Sequence, residues 1–184
     1  MSRLAEAGLE PQAGPEIVPG PLAPFARALA FVNLWIVRLG SLALLAAALI
    51  LTYSVVSRYF FKATTDWQDE AAVFCIVGAV FTASAYVQSY RGHIGIELLA
   101  TFLSPRANRV RAIVVDIASF TFCAFFAWKS WTLWHEAYVD KQTTTSAWGP
   151  PLWIPYALMA FGISLLALQI ALQVGAALTR RAKP

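Results

Sequence analysis

The sequence predicts an all-α integral membrane protein with four transmembrane helices and with both termini in the cytoplasm. Of its 184 residues, 59% are apolar and only 13% are charged, whereas a soluble domain averages roughly 45–50% apolar and about 25% charged. The charged residues are confined to a few places beside long apolar runs. A transmembrane helix needs about 20 mostly apolar residues, and the chain holds four runs near that length. One membrane domain accounts for all of them.

The four predicted spans divide the chain into a membrane domain over residues 29–179 and two polar tails. The spans are expected at residues 31–56, 71–87, 110–134 and 152–178. The first 28 residues are rich in proline and poor in large apolar side chains, so we expect a disordered cytoplasmic tail at residues 1–28. Residues 180–184 form a short basic tail after the fourth span.

Local signals mark where the second and third helices begin. Thr65 and Gln68 have the spacing of a capping box, and acidic residues follow in the first turn, where the helix dipole favours negative charge. Ser104 before Pro105 predicts a serine N-cap for the third helix. The apolar segment 94–103 is too short to span and is expected to lie along the membrane surface.

The distribution of basic residues predicts the orientation. In the four-span arrangement, ten of the 14 basic residues fall on the side of the termini, three fall on the other side, and Lys129 lies within a span. Because basic residues are enriched in cytoplasmic loops, the termini are predicted to be cytoplasmic. The formal net charge of +4 therefore reflects membrane orientation rather than a nucleic-acid partner. Six of the seven tryptophans map to the outer interface, which predicts an aromatic belt there.

The residues needed for catalysis or for cofactor binding do not form a recognisable pattern. The two histidines, His93 and His135, are predicted on opposite sides of the membrane, which disfavours a haem held between helices. No phosphate-binding, zinc-peptidase or serine-hydrolase motif occurs. We therefore predict no enzyme activity, no cofactor and no metal. Asp116 and Lys129 in the third span lie either near the two membrane boundaries or at a functional intramembrane site.

Several short motifs follow one another in order between residues 30 and 178. They are Arg58-Tyr59 after the first span, Trp67-x-Asp69-Glu70 before the second, Gly78-Ala79 within it, His93-Ile94-x-Ile96-Glu97 after it, P-P-L-W-I-P-Y around Trp153, and Gly162 in the fourth span. In this order the chain resembles the small membrane subunit, or Q-type small permease, of the tripartite ATP-independent periplasmic (TRAP) transporters. It departs from that pattern in lacking an arginine shortly after Glu70 and in carrying Phe161, where a proline often precedes the glycine.

The resemblance implies a non-catalytic subunit of a secondary transporter in the bacterial inner membrane. In such systems a periplasmic binding protein captures the substrate, commonly an organic acid, and a large membrane subunit moves substrate and sodium. The small subunit is expected to pack in the bilayer against the large one, to widen its static scaffold and to help receive the binding protein. The alternatives from the residues alone are a membrane anchor of a redox enzyme and a self-sufficient small channel.

The candidate residues for structure or partner contact each carry two interpretations. The set comprises Arg58, Tyr59, Trp67, Asp69, Glu70, Gly78, His93, Glu97, Trp153 and Gly162. Trp67, Asp69 and Glu70 suit either a partner contact or an interface anchor and helix start. Arg58 and Glu70 flank the same outer loop and are candidates for an ion pair. His93 and Glu97 have i,i+4 spacing, which favours a local hydrogen bond over a proton relay.

Overall fold

The computed structural model describes residues 23–90 and 104–179, and this part of the chain forms four α-helices. They are α1, Ala23–Phe61; α2, Gln68–Ser89; α3, Pro105–Val139; and α4, Trp153–Thr179. All four are long and apolar enough to cross a membrane. The predicted all-α membrane fold with four spans is confirmed. The proposed surface segment 94–103 and the basic tail 180–184 lie outside the described residues.

Three helices are longer than the predicted spans, and α1 and α3 exceed them by ten residues or more. Helix α1 begins at Ala23, inside the stretch 1–28 that was expected to be disordered. Pro24 falls in the first turn, where no backbone N–H is needed, and good helix formers follow it. Helix α3 continues to Val139, so His135 belongs to the helix and not to the outer loop. At 1.5 Å per residue, α1 is about 58 Å long, well beyond the roughly 30 Å hydrocarbon core.

The predicted capping box at the start of α2 is wrong. The helix begins one residue after Trp67, and no side chain caps it. The Gln68 side-chain oxygen instead accepts a hydrogen bond from the backbone N–H of Trp67 at 3.2 Å, so Gln68 lies in the first helical position and not the third. The start of α3 is as predicted, because the Ser104 hydroxyl accepts from the Ala107 N–H at 3.3 Å with proline in the first turn.

The helices pack in the order α1–α2–α4–α3. Helix α2 packs against α1 on one side and α4 on the other, and α3 packs against the far side of α4. In the most apolar window of α4, 44% of the residues are buried. The corresponding share is 11% in α1 and 6% in α3, the two edge helices. Two antiparallel hairpins therefore meet through the central pair α2 and α4, which run parallel to each other. Across the described residues the arrangement is an open row and not a closed bundle.

The loop between α3 and α4 is held by backbone hydrogen bonds. The end of the row that carries this loop and the α1–α2 loop is the one that the sequence predicts to face outward, and it is called the outer end. Lys141 has a left-handed φ of 49° and ends α3, and the next amide, that of Gln142, bonds back to the Ala137 carbonyl at 3.0 Å. This is the Schellman pattern of a helix C-terminus. The loop then pairs with itself, since the Leu152 N–H donates to the Gln142 carbonyl at 2.9 Å. Gly149 supplies the positive φ of 57° that the return turn requires.

Candidate functional site

The outer hairpin of α1 and α2 is joined by an ion pair that involves Asp69. Nη2 of Arg58 lies 3.1 Å from each carboxylate oxygen of Asp69, and it also donates to the Ser54 hydroxyl at 2.9 Å. The suggested pair between Arg58 and Glu70 is therefore wrong. One residue along a helix rotates the side chain by about 100°, and this rotation carries Glu70 to a different face of α2. The pair that does form has half-exposed side chains.

Glu70 faces a cleft between the outer halves of α2 and α4. The cleft has a volume of about 460 Å³, and its remaining walls are almost entirely apolar. The Oε2 atom of Glu70 is buried and has no hydrogen-bond partner among the described residues. A carboxylate oxygen in this setting loses its hydration without gaining a donor, which is costly. Glu70 is therefore a polar group at this end of the row whose hydrogen bonding is incomplete, and the buried Nε1 of Trp134 on α3 is another.

The central helices touch at Gly162. A Cβ atom built on Gly162 would collide with the backbone carbonyl of Phe81 and would lie 2.8 Å from the amide nitrogen of Thr82. Gly78 is the matching small residue on α2, where an added Cβ would lie 3.0 Å from Cδ1 of Leu158. The sequence singled out both glycines. The structure shows that Gly78 is buried and packs against Leu158 on α4 of the same chain.

The inner ends of three helices are tied by amide side chains. The Gln88 amide donates to Oε1 of Gln173 at 2.8 Å, and the Gln173 amide donates to the Gln88 backbone carbonyl at 3.0 Å. Asn33 of α1 donates to Oε1 of Gln169 at 3.4 Å. All four side chains are buried. Sequence analysis missed this cluster, although an uncharged amide inside an apolar span is itself a signal of interhelical hydrogen bonding.

Aromatic residues gather at the end of the row that carries the α1–α2 and α3–α4 loops. Trp67 meets Trp148 edge to face with ring centroids 6.5 Å apart. Tyr138 lies between Trp134 and Trp153, with ring centroids at 5.8 and 6.1 Å respectively. Trp67, Trp148 and Trp153 remain between 38% and 47% exposed. The tryptophans thus form an accessible rim, which will be called the outer aromatic rim.

The remaining candidate residues take separate positions. Tyr59 lies near the end of α1 and is 78% exposed. Its ring meets that of the neighbouring Phe60 edge to face. The ammonium group of Lys129 lies 5.2 Å from the centroid of the Trp128 ring, in a cation–π contact. Asp116 on α3 is buried and is not without an interaction partner. His93 and Glu97 lie outside the described residues. Among the residues that are described, no group of three or more His, Cys, Asp or Glu could hold a metal ion.

The fold defines the class of this chain, a small multi-pass membrane protein whose described part has four helices long and apolar enough to cross a membrane. Comparison with known families identifies it further. The sequence model of "Tripartite ATP-independent periplasmic transporters, DctQ component" matches residues 47–180, well over half of the chain. The chain therefore belongs to this family. It is the small membrane subunit of a TRAP transporter and a multi-pass protein of the bacterial inner membrane.

A curated relative supports the assignment. The C4-dicarboxylate TRAP transporter small permease protein DctQ of Vibrio cholerae is 25% identical over 153 residues. The match covers 70% of the present chain and 66% of the relative, slightly less than two thirds of its length. No solved structure matches the chain.

Proposed function

We propose that this chain is the scaffold partner of a large membrane subunit and does not itself bind the transported solute. The observation that carries the proposal is the open helix row. In the apolar windows of α1, α2 and α3, only 11%, 17% and 6% of the residues are buried, so much of the surface of the row remains available. Helices in lipid associate through close packing and interhelical hydrogen bonds. One face of the row suits a second protein, and the other suits lipid.

The outer aromatic rim is the proposed contact for the periplasmic binding protein. Aromatic residues are enriched among the residues that dominate the energy of protein interfaces. Trp67 and Trp148 are close to half exposed and lie on loops at the same end of the row. The basic-residue bias supports an arrangement in which this end faces the periplasm and both termini face the cytoplasm.

The substrate class follows from the relative and is part of the proposal. The Vibrio cholerae protein is named for C4-dicarboxylates, and a small organic dianion is the proposed substrate of the complete transporter. The substrate and sodium ions are bound by the large subunit. The present chain contributes stable surfaces on which the other two components assemble.

Reconstitution into vesicles tests the proposed function directly. Vesicles are prepared with this chain alone, with the large subunit alone, and with both, each with and without the binding protein under an inward sodium gradient. Uptake of a radiolabelled C4-dicarboxylate is expected only when all three components are present. Accumulation by vesicles that contain this chain alone would refute the scaffold role and would make the chain a carrier in its own right.

A further inference from the structure

The cleft beside Glu70 is built to receive a group from outside the chain. It lies between α2 and α4, and its walls include Val73, Val77 and Phe81 on α2 and Tyr156 and Met159 on α4. Glu70 stands near its outer end. Val73 is 53% exposed, so the cleft is open toward the surface of the row.

Glu70 is the unsatisfied polar group of this cleft. Its neighbour Asp69 has a cation, since Arg58 lies 3.1 Å away, but Glu70 has neither an ion pair nor a hydrogen bond among the described residues. Ionisable groups within a membrane span are costly, and they usually pair with another group or face an aqueous cavity. The apolar walls of the cleft provide neither.

The geometry points to a lysine or arginine on a membrane-spanning helix of the large subunit as the group that enters this cleft and pairs with Glu70. This inference rests on the proposed function, which supplies the large subunit. The basic group would sit at the outer level of the bilayer, with apolar residues of the same helix filling the cleft below it. Glu70 is half-buried, and a charge-assisted pair made there would fix both the depth and the orientation of the partner helix.

The depth of the cleft favours a membrane helix over the soluble binding protein. From Glu70 to Phe81 the wall of α2 spans eleven residues, or about 16 Å along the helix axis. This distance is roughly half of the hydrocarbon thickness. A soluble partner docked at the outer rim reaches only the outer end of such a cleft, whereas a membrane helix lies along its whole length.

The local charge favours a protein cation over a phospholipid. Asp69 and Glu70 are adjacent at the outer end of the cleft. Every phospholipid carries a phosphate near its headgroup, and that phosphate would be brought close to the Glu70 carboxylate, which has no cation among the described residues, and would be repelled. A lysine or arginine side chain brings a positive charge without an accompanying negative one.

Co-purification from membranes tests the inference. The affinity-tagged chain is co-expressed with the large subunit as wild type, as Glu70→Gln and as the matched control Asp69→Asn, which removes the same charge one residue away. Glu70→Gln is expected to reduce the large subunit retained by about tenfold or more, as for other truncated buried charge pairs. Asp69→Asn removes a carboxylate that Arg58 already neutralises, so it should lose much less of the large subunit than Glu70→Gln does. Size-exclusion profiles of each variant alone report whether it is folded.

A second arm identifies the cation and separates the possible outcomes. Each outer-level lysine and arginine of the large subunit is replaced by alanine and combined with Glu70→Gln. The true partner is the residue whose alanine variant lowers retention on its own, and whose loss adds nothing to the loss caused by Glu70→Gln. Equal retention by wild type and Glu70→Gln, or equal losses from Glu70→Gln and Asp69→Asn, would overturn the inference and leave the proposed function intact. Failure of the wild-type pair to co-purify would refute both. Loss of a bound phospholipid from Glu70→Gln in native mass spectrometry, with the large subunit retained, would show that a lipid occupies the cleft.

Discussion

Replacing Gly162 by alanine should separate the two central helices. The added Cβ would collide with the Phe81 carbonyl and would lie 2.8 Å from the Thr82 nitrogen, whereas real Cβ atoms essentially never approach within 3.0 Å. Both obstacles are backbone atoms, so no side-chain rotation relieves the contact. Favourable carbon contacts lie at about 3.5–4.0 Å, and α2 and α4 must therefore move apart by about 1 Å.

The expected loss of stability can be ranked for three glycine-to-alanine variants of this chain. Overpacking of a tight interior typically costs about 1–3 kcal/mol, and Gly162→Ala should reach the upper part of that range because neighbouring contacts open with it. Gly78→Ala meets only the flexible end of Leu158 at 3.0 Å and should cost less. Gly40→Ala meets Ala79 at 3.4 Å, an ordinary contact, and should be close to neutral.

Thermal unfolding in a mild detergent measures this series. The midpoint is followed by the loss of the monodisperse size-exclusion peak after heating, with all three alanine variants purified in parallel. Alanine is also the better helix former, by about 1 kcal/mol in water, so a simple propensity effect would raise every midpoint. The steric argument fails if Gly162→Ala is as stable as wild type, or if Gly40→Ala is the most damaged of the three.

Three further predictions follow from the polar contacts and the topology. Gln173→Leu leaves the amide donor of Gln88 unpaired and should cost about 0.6–1.7 kcal/mol, between the average and the maximum measured for hydrogen bonds between membrane helices; unchanged thermal stability would show that the amide pair is energetically neutral. Asp69→Asn breaks an ion pair whose side chains are 53% and 57% exposed, so it should cost less than about 1 kcal/mol, and a loss of folded protein would contradict this. Alkaline phosphatase fused at Lys141 should be active and fused after Lys183 inactive, and the same signal from both would contradict a topology with cytoplasmic termini.

The positions of the spans could be predicted because long apolar runs in the sequence mark them. The contacts between helices could not be predicted in this way. The apolar runs located all four helices, and Ser104 before Pro105 located one helix start. The pairing of Arg58 with Asp69, and not with Glu70, depends on the rotation of α2 relative to α1. Hydropathy contains no information about that rotation. The capping-box pattern at Thr65 failed for a similar reason, since the chain enters α2 from a loop that places Gln68 first.

The sequence predicted that Gly78 lies in a close helix contact, but it did not predict which helix makes that contact. Small residues on the second span indicated close helix contact, and this was correct for Gly78. The pattern could not tell whether the approaching helix belonged to the same chain or to another subunit. Its partner Leu158 lies 80 residues away in sequence on α4, and only the three-dimensional packing brings the two together.

The contacts at three depths explain how an open row can serve as a scaffold. Arg58 and Asp69 join α1 to α2 at the outer end, Gly162 brings α4 against α2 near the middle, and Gln88 with Gln173 joins the same two helices at the inner end. Contacts at different depths resist both sliding and rotation of the helices. Helix α3 is held by α4 alone among the principal helix contacts, including the Trp131 indole bond to the Ser164 hydroxyl at 3.0 Å. A partner that bears on α1, α2 or α4 therefore meets a braced unit, whereas one that bears on α3 can displace it without breaking the contacts among the other three helices.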